Sequence, residues 1–189
     1  GFIYDSEGID VELLKRIKEV ERKGLSEYAA VKPSAKFTPI SQYKAGTNGV
    51  WSVPCDAAFP SATQNELNLE DIKILYSNGC RLVCEGANMP STLEAIDFML
   101  AQKDFLFGPA KAANAGGVAT SGLEMAQNAS MQKWTFDEVD SKLHRIMTNI
   151  FHDSYDTSVE FGEPGNLVLG ANIAGFRKVA DAMIDQGYV

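Results

Sequence analysis

The sequence predicts an α/β fold: a parallel sheet with crossover helices, followed by an all-helical C-terminal segment. Two observations carry this. Between Val53 and Met125 a short apolar strand, a turn of small and polar residues and a helix recur as a unit three times, which is the grammar of a parallel sheet with crossover helices. Beyond Met125 no strand pattern returns, and apolar residues at helical spacing run from Phe136 to Val159.

Taken in order, the first helix opens at Asp10, a capping residue, with Ile9 and Leu14 at staple positions. Its stripe is Leu13, Leu14, Ile17 and Val20, and it should run to about Lys23 with Gly24 as the stop. From Leu25 to Val50, Pro33, Pro39, Gly46 and Gly49 reduce the signal to a short helix and loops. Val53–Pro60 reads as a buried strand, followed by the turn SATQNE. Asn68 and Asp71 then open a helix carrying Leu69, Ile72, Leu75 and Tyr76, which stops at Asn78-Gly79. Arg81–Cys84 is the next strand, EGANMP its turn, and Ser91 with Glu94 a capping box for a helix to about Gln102. Phe105–Phe107 is the third strand, followed by GPAKAANAGG and a further helix. Thr135 with Glu138 caps the long helix, Gly162-Glu163-Pro164-Gly165 breaks it, and a last helix runs towards Gln186-Gly187.

Composition bounds the function. Acidic residues outnumber basic ones by 25 to 17, a formal charge of −8. That opposes a nucleic-acid or anionic-membrane partner, which needs clustered Lys and Arg. It leaves room for a single dinucleotide, whose phosphates backbone N–H groups can hold. No apolar run approaches the roughly 20 residues that span a bilayer, and GFIYDSEGID lacks the basic start and apolar core of a signal peptide. The expectation is a cytoplasmic protein. Cys55, Cys80 and Cys84 are an odd number without metal spacing and read as buried, reduced thiols, with Cys80 and Cys84 on one strand face. His144 and His152 are eight residues apart, too far along a helix (about 12 Å) to share a metal ion. No metal site is expected.

In parallel sheets, ligands bind beyond the carboxyl ends of the strands. The turns Ser61–Glu66, Glu85–Pro90 and Gly108–Gly117 should therefore line one crevice. Their small residues let a flat ligand approach the backbone, and Asn88 and Asn114 can read an amide or a ribose hydroxyl. Taken singly, each Asn is more often a cap or turn residue; the three such turns together bring the functional reading level with it. Val118 and Ser121, three apart in the helix opened by GGVATSG, share one face. A hydroxyl there can hold a carboxylate, although a helical Ser is often only bonded back to its own helix. No His neighbours it, so a hydrolase triad is unsupported. Lys111 could reach a phosphate or carboxylate or be solvated, and Trp51 and Trp134 read as packing residues. Neither G-x-G-x-x-G nor G-x-x-x-x-G-K-[ST] occurs.

The segments PCDAAFPSATQNEL, EGANMPST, GPAKAANAGGVATSGLEM and EPGNLVLGANIAGFRKVADAM resemble the C-terminal portion of glutamate dehydrogenase of the small-subunit hexameric type, over essentially the whole chain. The resemblance implies that residues 1–163 are an incomplete, Rossmann-like dinucleotide-binding domain including long helices. Residues 164–189 would be a helix packing back towards a substrate and oligomerisation domain. The implied reaction is reversible oxidative deamination of L-glutamate to 2-oxoglutarate and ammonia with NAD or NADP. Ala62, Thr63 and Gln64 would lie along the dinucleotide, and Gly86, Ala87 and Asn88 at its nicotinamide-ribose end. Asn114 would sit where nicotinamide and substrate meet. Val118 would pack on the glutamate side chain, and Ser121 would bond its distal carboxylate. The family's catalytic lysine and aspartate, its glycine-rich loop and its ribose-reading residues precede the text that matches Gly1. The chain alone is therefore expected to be inactive, and to self-associate where the parent would be a homohexamer. Two other readings stand beside this: a free-standing, non-catalytic nucleotide- or partner-binding module, and a relative of the leucine and phenylalanine dehydrogenases. The apolar substrates of the latter would not need a hydroxyl at Ser121.

Overall fold

A computed structural model describes residues 1–187; the last helix ends at Gln186 with Gly187 as its C-cap, as expected, and the last two residues of the segment expected over 164–189 lie outside the described residues. The chain opens with a pairing the sequence did not announce. Phe2–Asp5 (β1) and Ala35–Thr38 (β2) form an antiparallel pair, with Phe2 opposite Thr38 and Asp5 opposite Ala35. Between them lie Val11–Lys15 (α1), continued by a wider helical turn over Arg16–Val20, and Ser26–Val31 (α2). Asp10 caps α1 as expected, accepting from Leu13 N–H at 3.0 Å. The helix stops earlier than Gly24 because Arg22 turns left-handed (φ 54°), letting Lys23 N–H close on Ile17 O at 2.9 Å, a helix-end pattern that needs no glycine when a polar residue accepts the strain. Tyr28, fully buried, packs with Leu13 and Ile17. Its hydroxyl accepts from Asp10 N–H at 2.8 Å and donates to Asp5 Oδ2 at 3.0 Å.

The parallel sheet follows. Ala57–Ala58 (β3), Leu82–Cys84 (β4) and Leu106–Gly108 (β5) stand in the order β3-β4-β5, all parallel. The strand expected over Val53–Pro60 shrinks to two residues; Pro54 and Pro60 carry no N–H for a ladder. Leu69–Ser77 (α3) and Leu93–Ala101 (α4) are the crossovers, and Trp51, Leu67, Ile72, Leu75, Val83, Met99 and Phe107 form the core between sheet and helices. Asn68 caps α3 as read from the sequence, and its partner Asp71 also takes Asn48 N–H at 2.8 Å. Burial pushes the Asp71 carboxyl up, against the pull of those two backbone donors. The cap of α4 is Thr92 rather than Ser91. Ser91 is held in a bridge to Leu67, which turns its side chain inward and buries it.

The rest is helical: Ala110–Ala113 (α5), Ala115–Ser130 (α6), Phe136–Glu160 (α7) and Leu167–Gln186 (α8). Thr135 and Glu138 form the expected capping box, with Thr135 N–H on Glu138 Oε2 at 2.6 Å. Helices α5, α6 and α8 all pack on α7. At the α7–α8 crossing a Cβ on Gly170 would run into the Ser154 carbonyl oxygen, so only glycine permits the approach. The cysteines depart from expectation. Cys80 joins the core with Val83, whereas Cys84 lines a groove towards α7, because the strand begins only at Leu82 and the alternation does not extend back to Cys80. All three are free thiols. Among the described residues no cluster of His, Cys, Asp or Glu could hold a metal ion, and no helix is long and apolar enough to cross a membrane.

Gly170→Ala should destabilise the fold by about 3 kcal/mol, since the overlap is with backbone and cannot be relieved by a rotamer; a denaturant midpoint equal to wild type would refute it. Burial, with Cys80 beside it, pushes the Cys55 thiol from 9.0 up to about 11. A folded-state value above the unfolded one contributes stability below about pH 9 that is lost as pH rises towards 11. Cys55→Ala should therefore lose less stability than wild type between pH 9 and 11, as read by denaturant titration at each pH.

Candidate functional site

Three chain segments meet at the carboxyl edge of the sheet. The turn after β3 is held from inside by Glu66, whose Oε1 accepts from Ala62 N–H at 2.7 Å and Thr63 N–H at 3.3 Å. The turn after β4 is fastened to it by one carbonyl: Pro60 O accepts from Gly86 N–H at 2.9 Å and Ala87 N–H at 3.1 Å. Gly86 packs closely on Ser61, whose Oγ would have to turn away from an added Cβ. Asn65 and Met89 are both left-handed (φ 54° and 49°), and Asn65 N–H reaches Met89 O at 3.0 Å.

The third segment differs from expectation. Gly108–Gly117 is not an open turn but two helices, α5 and α6, broken at Asn114 (φ −94°, ψ 5°). The break aims the Asn114 side chain at the second turn. Its Nδ2 donates to Ala87 O at 3.1 Å and to Asn88 Oδ1 at 2.7 Å. Asn114 is thus a bracket between two turns as well as a wall residue, and the reading as a bare helix cap does not describe it.

These segments enclose an open cleft of about 680 Å³. One wall is Ala62, Thr63 and Gln64, the floor is Gly86, Ala87 and Asn88, and the far wall is Asn114 with Val118 and Ser121 on α6. All nine residues singled out from the sequence therefore face the same space. Val118 is 79% exposed, an apolar side chain presented to the cleft. Thr120 turns its hydroxyl back to Gly116 O at 2.9 Å, whereas its neighbour Ser121 lies on the cleft face. Ser61, Gly117 and Met125 also line the cleft; Gly117 and Met125 follow from the helical spacing of Val118 and Ser121 once α6 is known to start at Ala115.

Other candidates fall elsewhere. Lys111 Nζ is bonded to Asn172 Oδ1 on α8 at 2.7 Å and does not line the cleft. His144 pairs with Asp140 on its own helix, 3.3 Å away at the surface, and exposed His152 stands edge-on to Phe151. Trp51 is a packing residue whose Nε1 donates to Glu66 O at 2.8 Å. Trp134 carries Lys142 over its ring at 3.2 Å. Sequence reasoning missed the buried Glu85, whose Oε2 accepts from Ala110 N–H at 2.7 Å. It also missed an apolar groove of about 370 Å³ behind the sheet, between Leu82, Cys84 and Leu106 and the α7 residues Met147, Phe151 and Tyr155.

Comparison with known proteins places this geometry. Residues 1–187 match the Glutamate/Leucine/Phenylalanine/Valine dehydrogenase family. An NADP-specific glutamate dehydrogenase of Helicobacter pylori is 61% identical over 99% of this chain and 42% of its own length. An NAD-specific glutamate dehydrogenase of Porphyromonas gingivalis is 45% identical over 99% of this chain and 41% of its own length. The crystal structure of Plasmodium falciparum glutamate dehydrogenase superimposes with a TM-score of 0.90 at 43% identity, covering 100% of this chain and 40% of that one. The chain thus spans about two-fifths of the length of the relatives it matches. From its match over residues 1–187, this chain belongs to the Glutamate/Leucine/Phenylalanine/Valine dehydrogenase family.

Proposed function

We propose that this chain forms the coenzyme-and-substrate wall of an NAD- or NADP-dependent glutamate dehydrogenase, an enzyme interconverting L-glutamate with 2-oxoglutarate and ammonia. The observation that carries the reading is the cleft faced by the turns after β3 and β4 and by Asn114, Val118 and Ser121. A dinucleotide suits its floor: Gly86 and Ala87 line it with little side chain, which is how a flat ligand gains close approach to the backbone. Ala62, Thr63 and Gln64 lie along the dinucleotide, and Gly86, Ala87 and Asn88 hold its nicotinamide-ribose end. When bound, the nicotinamide ring accepts or gives the hydride. The residues of this chain bind, orient and select.

On the substrate side, Asn114 stands between the two ligands, Val118 packs on the methylenes of glutamate, and Ser121 Oγ donates to the distal carboxylate. That assignment favours an acidic substrate over the apolar ones that a leucine or phenylalanine enzyme takes. The described residues lining the cleft include no titratable side chain, so general acid and base have to come from the part of the relatives' length that this chain does not span. In this reading residues 1–163 belong to the coenzyme domain and residues 164–189 return to the substrate and oligomerisation domain of a cytoplasmic hexamer. The apolar side chains of Phe176, Val179, Met183 and Ile184, exposed along α8, support a packing partner for that helix.

Three measurements test this. In a dehydrogenase completed with the N-terminal portion of the Helicobacter pylori relative, Ser121→Ala should raise KM for glutamate by about 10- to 100-fold, the loss of one hydrogen bond to a charged group. KM for the coenzyme should stay unchanged; an unaltered glutamate KM would sink the substrate assignment. The chain on its own should show no glutamate turnover, and any turnover would overturn the division of labour. Light scattering should find the chain self-associated at high concentration, whereas a stable monomer would remove the argument from α8.

A further inference from the structure

Glu85 follows the last residue of β4 and is 3% exposed. Its backbone continues the sheet, with Glu85 N–H on Gly108 O at 2.9 Å. Its side chain reaches the other wall: Oε2 accepts from Ala110 N–H at 2.7 Å, at the start of α5. One helical turn later Asn114 N–H bonds to Ala110 O at 3.0 Å, and the Asn114 side chain returns to Ala87 O and Asn88 Oδ1. The bonds therefore close a ring, from Glu85 through Ala110 and Asn114 to Ala87, two residues beyond Glu85. One fastening is the Glu85 carboxylate and the other is the Asn114 carboxamide.

Glu85 takes part in none of the ion pairs among the described residues, and its Oε1 is buried without a hydrogen-bond partner. A carboxylate kept from water with one donor and no countercharge is a poor device for stability. An apolar residue would fill the position at lower cost, so the bond to Ala110 is what the carboxylate supplies. The direction of the ring also fixes both amides. Ala87 O can only accept, so the NH₂ of Asn114 faces it, and the same nitrogen takes Asn88 Oδ1. Asn88 Nδ2 and Asn114 Oδ1 are then left for a ligand.

We propose that Glu85 is a positioning residue: its carboxylate anchors α5 so that Asn114 stays bonded to the turn after β4 and presents both asparagines in one orientation. Its bearing on ligand binding rests on the coenzyme reading above; the positioning itself does not.

The test is NMR spectroscopy of the chain, following the Ala110 amide proton and the side-chain NH₂ of Asn114 in wild type and in Glu85→Gln, Glu85→Leu and Glu85→Ala. Glu85→Gln keeps an acceptor for Ala110 N–H and should hold the Asn114 NH₂ signals near their wild-type positions. Glu85→Leu and Glu85→Ala should move them to values of a free carboxamide while signals of α7 stay in place. Asn114 signals unmoved in Glu85→Leu would overturn the proposal, as would their loss in Glu85→Gln; where Glu85→Ala fails to fold, these two variants decide. Titration with nicotinamide mononucleotide adds a functional arm, in which Glu85→Leu should bind about tenfold more weakly than wild type, the worth of one net hydrogen bond. Equal binding by the two would overturn the link to the ligand. No binding by wild type would count against the coenzyme reading, with the Asn114 signals still deciding the role of Glu85.

Discussion

The Pro60 carbonyl oxygen carries two backbone donors, from Gly86 and Ala87, and the candidate site depends on that junction. Proline has no backbone N–H, so the carbonyl is its one main-chain hydrogen-bonding group. Glycine leaves the second turn free to lie against Ser61, where an added Cβ would press on that side chain. With those turns joined, Ala87 O and Asn88 Oδ1 stand where Asn114 can reach both. The far wall, from Asn114 to Ser121, is thereby registered against the floor. Parallel strands aim successive turns at one edge; the junction at Pro60 turns that tendency into a fixed cleft.

Features written in neighbouring residues were legible in the sequence. Asn68 with Asp71 and Thr135 with Glu138 are capping boxes whose partners lie three residues apart, and both form as read. The three-strand parallel order and the shared cleft were also legible, since each turn is marked by small and polar residues between an apolar run and a helix. What depends on distant partners was not. β1 and β2 pair across some thirty residues of intervening chain, and nothing in FIYD or AKFT names the other. Ser91 with Glu94 has the spacing of a capping box, but the bridge to Leu67 turns Ser91 inward and leaves the cap to Thr92. For Lys111 the sequence leaves a crevice cation and a solvated lysine both open, because its partner, Asn172, lies 61 residues away.

Glu85 is the most instructive omission. At the end of a strand and before a glycine, a glutamate reads as a solvated residue, and charged side chains are seldom fully buried. Only the fold reveals that its carboxylate crosses to Ala110. The groups that burial chiefly pushes up, Tyr43, Cys55, Asp71 and Cys84, all lie outside the cleft. The cleft presents amides, hydroxyl-bearing side chains and bare backbone, with no titratable side chain among the described residues that line it.

The two walls of that cleft are carried by different bodies. The turns belong to the sheet, whereas α6 rides on α7, with Gly116 drawn close to Leu143 and Met147. The two are joined where β5 passes into α5, and the groove of about 370 Å³ lies behind that junction as clearance. Cleft width is therefore an angle rather than a length. Ser121 lies about 10 Å along the helix from Asn114, so a tilt of about 5° about the break shifts it by about 1 Å. A misplacement of that size can change a rate by about a hundredfold. The largely apolar groove behind the junction would then bear on how precisely α6 stands against the turns.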